Sequence, residues 1–173
     1  MNNEINLILK QFSQGNKRSA YKKLKKIFEK NKNNNQLRFN LAVIQQSLKL
    51  NNEARINYQF LINSLQDIKS MFNLYLIEVS EEKYINALNI IEKIIRKKND
   101  YENIYEYKAF VLYKLKRYSE SISICSDKLK ESKNNINYLN IIGLNYFAIG
   151  KVAESKEIFE TALSIDKNNV SVL

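Results

Sequence analysis

The sequence predicts an all-α superhelical solenoid of five stacked helical hairpins, about ten helices, and three observations carry that prediction. Small residues recur at a nearly fixed interval: Ala20, Ala54, Ala87, Ser121 and Ser155 lie 34, 33, 34 and 34 residues apart. Four residues beyond each stands a larger side chain, Leu24, Tyr58, Ile91, Cys125 and Phe159. Asn- and Asp-rich pairs punctuate the chain at the same period. Self-similarity of this kind marks repeats that each bury an apolar face only against their neighbours.

The units follow in order as about 1–34, 35–67, 68–101, 102–135 and 136–169. The first is built on Leu7, Gly15, Ala20, Leu24 and Phe28, and the second on Leu41, Ala42, Ala54, Tyr58 and Leu61. In the third, Met71, Leu74, Tyr84, Ala87, Ile91 and Ile95 take the same places, with Tyr75 where a small residue is expected. That substitution predicts looser or shifted packing in the third hairpin. The fourth has Tyr105, Ala109, Leu112, Tyr118, Ser121, Cys125 and Leu129, with Lys108 as an unusual guest. Apolar spacing of three to four residues, as in Ile85, Leu88, Ile91 and Ile95, supports helices throughout. The pairs Asn33-Asn34, Gln66-Asp67, Asn99-Asp100, Asn134-Asn135 and Asn168-Asn169 fall at unit ends. Asn and Asp tolerate the left-handed backbone that closes one helix, and they cap the next.

The fifth unit carries the clearest motif. It reads Leu139-x-x-Ile142-Gly143-x-x-Tyr146, a turn at Ile149-Gly150-Lys151, then Ser155-x-x-x-Phe159 and Ala162-Leu163. This resembles the tetratricopeptide repeat, whose pattern is W-x2-L-G-x2-Y…A-x3-F…P over 34 residues. Leu139, Ser155 and Lys167 depart from the Trp, Ala and Pro of that pattern. The resemblance covers nearly the whole chain. It implies antiparallel helix pairs stacked in a right-handed superhelix, with a concave wall formed by the first helix of each unit. Val170-Ser171-Val172-Leu173 reads as the start of a sixth unit or a truncated end, which would leave a stacking surface open to a second copy.

Composition narrows the function. No apolar run approaches the roughly 18–20 residues of a membrane-spanning helix, and Met1-Asn2-Asn3-Glu4-Ile5 does not open like a secretory signal. A single cysteine, Cys125, fits a reducing compartment, so a cytoplasmic location is expected. The chain has no histidine, no Gly-rich phosphate loop and no cysteine cluster. Catalysis, cofactors and metals are therefore not expected within these residues. Cys125 falls at a core place and is expected to be buried and inert. The carboxylate pairs Glu81-Glu82 and Glu154/Glu157 read as solvated helix surface.

The expected activity is non-enzymatic: a scaffold that binds a peptide or amphipathic helix of another protein in an apolar groove. Carrying the family register over residue by residue assigns Ile5, Leu9 and Phe12 to the inner wall in the first unit, and Phe39 and Val43 in the second. The third contributes Phe72, Leu76 and Val79, the fourth Glu106, Phe110 and Tyr113, and the fifth Asn140, Leu144 and Phe147. Such apolar residues replace the Lys, Asn and Arg with which some tetratricopeptide modules clamp the carboxylate tails of heat-shock chaperones. Asn6, Asn40 and Asn73 occupy one place in three successive units, each just before a leucine. The series resembles the asparagine ladder of protein O-GlcNAc transferases, which implies recognition of an extended peptide backbone.

The alternative reading is the amino-terminal, substrate-recruiting arm of a longer glycosyl- or sulfotransferase. The net charge of +10 and the basic helix around Arg18, Lys22, Lys23, Lys25, Lys26 and Lys30 suit an anionic partner. Nucleic acid or membrane is nevertheless not the expected partner, because Ala20, Leu24, Ile27 and Phe28 on that helix are needed to pack the first two units and its charges read as a solvated face.

Overall fold

The computed structural model describes residues 2–98, 100–101, 103–132 and 134–165. Ten helices and no strand occur among them: α1 (Asn2–Ser13), α2 (Lys17–Glu29), α3 (Asn35–Ser47), α4 (Asn51–Leu65), α5 (Ile68–Ser80), α6 (Tyr84–Lys97), α7 (Ile104–Lys114), α8 (Tyr118–Glu131), α9 (Ile136–Ala148) and α10 (Val152–Ile165). They alternate in chain order as the first and second helices of tetratricopeptide-type repeats. Lys167 and the expected sixth-unit residues 170–173 lie outside the described residues.

The chain divides into two compact units, Met1–Glu81 and Glu82–Leu173. The boundary falls in the turn of the third repeat, the one whose small position holds Tyr75. In the first unit, α1 packs on α2, α2 on α3, α3 on α4 and α4 on α5. The recurrent small residues make these approaches close: Ala20, Ala42 and Ala54 are fully buried. Ile5, Ile8, Leu24, Phe28, Leu37, Leu41 and Ile44 surround Ala20 in one apolar core. Each large side chain buried there contributes about 1.5–3 kcal/mol. Tyr75 is itself buried, its ring stacked on Phe72 with centroids 5.6 Å apart.

In the second unit, α6 packs on α7, α7 on α8, α8 on α9 and α9 on α10. Ala109, Cys125, Tyr138 and Ile142 form a core that Tyr105, Ile124, Leu129 and Tyr146 flank. The two serines that replace the repeat alanine have a physical reason. Ser121 Oγ donates to the Ala109 carbonyl at 2.8 Å, and Ser155 Oγ to the Gly143 carbonyl at 2.9 Å. Each hydroxyl thus ties the second helix to the small residue of the first. The unexpected Lys108 reaches Glu92 on α6 at 3.2 Å, so its charge is answered by the preceding helix. Ile85, one of the residues whose spacing predicted α6, is 68% exposed: the period is helical, but this member lies off the buried stripe.

Helix ends follow the expected chemistry at three junctions. Asn34, Asp67 and Asn135 accept from the backbone N–H groups of Leu37, Ser70 and Tyr138 at 3.0, 2.8 and 3.1 Å. Such caps are worth about 1 kcal/mol each. Gln66 adopts the left-handed backbone at φ 52° that ends α4. The junction between α6 and α7 departs from the pattern. Asp100 lies in a turn, and α7 starts after Asn103, which has φ 56° and no side-chain cap.

Every turn inside a hairpin has a left-handed residue at the same place: Gly15, Lys49, Glu82, Lys116 and Gly150, with φ of 92°, 60°, 57°, 60° and 81°. Around Lys116 the reason is visible. Arg117 N donates to the Leu112 carbonyl and Lys116 N to the Tyr113 carbonyl, both at 2.9 Å, closing the helix in a Schellman motif. Glycine adopts this conformation without the Cβ clash that a lysine incurs. Lys116→Gly is therefore expected to raise stability by about 0.5–1 kcal/mol, read as a higher urea midpoint. A loss of stability would show that the lysine side chain contributes more than its backbone strain removes.

Candidate functional site

The expected wall residues of the first unit lie on its first helices, α1, α3 and α5. Ile5 belongs to the core, whereas Leu9, Phe12, Phe39, Val43, Phe72 and Val79 are half-buried and Leu76 is exposed. Phe39 meets Tyr58 edge-on at 6.0 Å, and Phe72 rests on Tyr75, so both rings are braced from behind. Burial pushes the Tyr58 hydroxyl above its ordinary pKa, and it donates to Gln46 Oε1 at 2.9 Å.

Between α1 and α3 lies a groove of about 450 Å³. Ile5, Leu9 and Leu37 form its apolar part, and Asn6, Asn34, Gln36 and Asn40 supply its polar groups. No charged side chain lines it among the described residues. Two members of the asparagine series therefore stand in one cleft with two of the expected wall residues. Gln36 Nε2 donates to Asn40 Oδ1 at 3.1 Å, which orients that carboxamide. Asn73, the third member, is half-buried on α5 outside this cleft. Its backbone carbonyl faces Gln46 Nε2 at 3.5 Å. Sequence reasoning missed Asn34 and Gln36. Gln36 was findable, because it stands four residues before Asn40 and so on the same helix face.

In the second unit, the wall residues Phe110, Tyr113 and Asn140 are half-buried, while Leu144 and Phe147 are 40% and 64% exposed. Lys114 Nζ sits over the Phe110 and Tyr113 rings at 5.5 and 5.8 Å from their centroids. Glu106 accepts from Asn135 and Asn137 at 2.9 and 3.0 Å, so its carboxylate is engaged at the start of α9. Cys125 is fully buried. Burial first, and the Glu106 charge second, push its thiol up to about 12. A thiol so protonated at neutral pH is a packing group, not a nucleophile.

Two polar clusters in the first unit were not anticipated. Arg38 occupies the repeat place of the consensus tryptophan, and its guanidinium lies 3.8 Å from the Phe60 ring centroid and 4.9 Å from that of Phe28. It donates to Asn57 Oδ1 at 3.1 Å, and Asn57 Nδ2 donates to the buried Gln45 Oε1 at 2.9 Å. Arg55 on α4 pairs with Glu78 and Glu81, at 3.0 and 2.8 Å. Both clusters join helices; neither opens into the groove. Among the described residues no helix is long and apolar enough to cross a membrane.

Comparison with known proteins agrees with this architecture. MamA shares the fold with a TM-score of 0.77 at 17% identity, over 96% of this chain and 94% of that one. MamA from residue 41 onward of Desulfovibrio magneticus RS-1 gives a TM-score of 0.82 at 12% identity, over 95% and 94% of the two chains. YrrB, described as a TPR protein with an unusual peptide-binding site, gives 0.77 at 12% identity, over 98% and 88%. No curated protein matches the sequence. Residues 68–173 match the family model described as the N-terminal TPR repeats region of Psidin. With more than half its length in that match and tetratricopeptide hairpins along its described residues, the chain belongs to the family of the Psidin N-terminal TPR repeats region.

Proposed function

We propose that the protein is a non-enzymatic scaffold whose first-unit groove binds an extended, uncharged peptide segment of another protein. The observation that carries this reading is the convergence of Asn6 and Asn40 with Ile5 and Leu9 on one cleft without charge. Carboxamides both donate and accept, so they suit main-chain amides of any sequence. The apolar part suits alternate side chains of an extended segment. The peptide-binding site attributed to YrrB, a protein of the same fold, is in keeping with this role. A protein partner in a reducing compartment, the cytoplasm, suits the single buried thiol. Self-association through the C-terminal end would depend on residues beyond those described. The transferase-arm alternative gains no support from the similar proteins.

The test is a displayed library of 12-residue peptides, panned on the full chain. Selected binders are expected to be poor in charge, and Asn6→Ala with Asn40→Ala is expected to weaken them at least tenfold in fluorescence anisotropy. Failure to select any binder, or binders indifferent to both substitutions, overturns the groove assignment.

A further inference from the structure

The α1–α2 hairpin carries a second groove, of about 560 Å³, that borders its core at Ile8 and Ile27. Leu7, Ile8 and Ile27 give it an apolar floor, and Lys23, Lys26 and Lys30 stand along one side at helical spacing. Leu7 is 58% exposed, which is anomalous for its place in the repeat. Its equivalents Leu41 and Leu74 are 3% and 6% exposed, on α3 and α5, where α2 and α4 pack. The leucine that is covered on α3 and α5 is thus left open on α1 by the described helices.

Its charge is equally uneven. The first repeat, residues 1–34, holds nine of the chain's 28 Lys and Arg but two of its 18 Asp and Glu, so +7 of the net +10. Lys23 Nζ donates to Gln11 Oε1 at 2.9 Å, and Lys26 and Lys30 make no ion pair among the described residues. Elsewhere, Lys32 of the first repeat pairs with Glu29, and Lys108, Lys128, Lys130, Lys151 and Lys156 of the second unit pair with carboxylates. Glu4 is the single carboxylate among the residues lining the groove.

We propose that this groove docks an acidic amphipathic helix presented by a partner protein. The helix sets apolar residues three and four apart onto Leu7 and Ile27 and a row of Asp or Glu against Lys23, Lys26 and Lys30. A lipid surface fits less well, because the apolar residues floor a cleft instead of projecting from it. Nucleic acid would leave that floor unused. The site is independent of the α1–α3 cleft, since the two share no lining residue.

The probe is a lactam-stapled 16-residue peptide with leucines on one face and glutamates flanking them, titrated against the full chain by fluorescence anisotropy. A lysine-for-glutamate version and a glutamate peptide without leucines serve as comparisons. The acidic amphipathic peptide is expected to bind. Lys23→Glu/Lys26→Glu/Lys30→Glu should weaken it at least tenfold and admit the lysine version, and Leu7→Ser should weaken it about fivefold. Asn6→Ala with Asn40→Ala should leave it unchanged, which separates this site from the peptide groove. All these side chains are exposed or half-buried, and circular dichroism checks that the fold is kept. The proposal is overturned if charge reversal has no effect or if the leucine-free peptide binds as well. Phosphatidylserine vesicles competing at the same lysines overturn it too, as does a chain that dimerises through Leu7 in light scattering.

Discussion

Replacing Arg55 by alanine is expected to destabilise the first unit by about 2–3 kcal/mol, seen as faster amide exchange throughout α4 and α5. Arg55 Nε meets Glu78 Oε1 at 3.0 Å and Nη2 meets Glu81 Oε2 at 2.8 Å, so one guanidinium on α4 holds two carboxylates at the end of α5. Asn51 Nδ2 adds a bond to Glu81 Oε1 at 2.9 Å. Burial opposes the charge of Arg55, but the two carboxylates outweigh it and hold the guanidinium above its ordinary pKa. The Glu78 side chain is only 5% exposed. Removing the cation strands that carboxylate in a setting where losing one partner of a buried pair costs about 3–5 kcal/mol. The 26% exposure of Arg55 lets water recover part of this, hence the lower figure. Removing both charges should be gentler: Arg55→Met with Glu78→Met is expected to regain at least half the loss. A single substitution costing under 1 kcal/mol, or a double as harmful as the single, would show that packing and not charge joins these helices.

This clamp also shows where the sequence stops being legible. Gln45 and Glu78 stand at the repeat place that Tyr146 fills in the fifth unit, and both are buried. On a helical pattern a glutamate reads as surface. It becomes interior only because Arg55 lies 23 residues earlier and on the facing helix. Arg38 is similar, since a cation at the tryptophan place makes sense only with Phe28 and Phe60 beside its guanidinium. Period, small residues, glycine turns and most caps were readable because each is a local or strictly repeating feature. Pairwise polar compensation across helices is neither. The expected wall residues differ in exposure: Ile5 is core and Phe147 is exposed, although the register treats them alike. What separates them is the neighbouring helix, which the register does not specify. The α1–α3 cleft became visible only once Asn34 and Gln36 joined Asn6 and Asn40 around it.

Gly143→Val is expected to cost the second unit about 2–3 kcal/mol, for a reason specific to the fifth repeat. A Cβ at residue 143 would lie 2.6, 2.7 and 2.9 Å from three atoms of the Phe159 ring. The helices cannot simply part, because Ser155 Oγ binds the Gly143 carbonyl at 2.9 Å one turn before Phe159. Phe159 must swing instead, giving up its packing on α9, and overpacking of this kind costs about 1–3 kcal/mol. The fourth repeat shows the compensating combination: there the small residue is Ala109, and the facing residue is the smaller Cys125. Between these two repeats, then, the larger residue on the first helix goes with the smaller one on the second. Transplanting that pair as Gly143→Ala with Phe159→Cys should give a favourable coupling of about 1 kcal/mol relative to the summed single changes. Strict additivity in the double-mutant cycle would mean that Gly143 is retained for backbone reasons. Its helical place between Ile142 and Leu144 supplies no such reason.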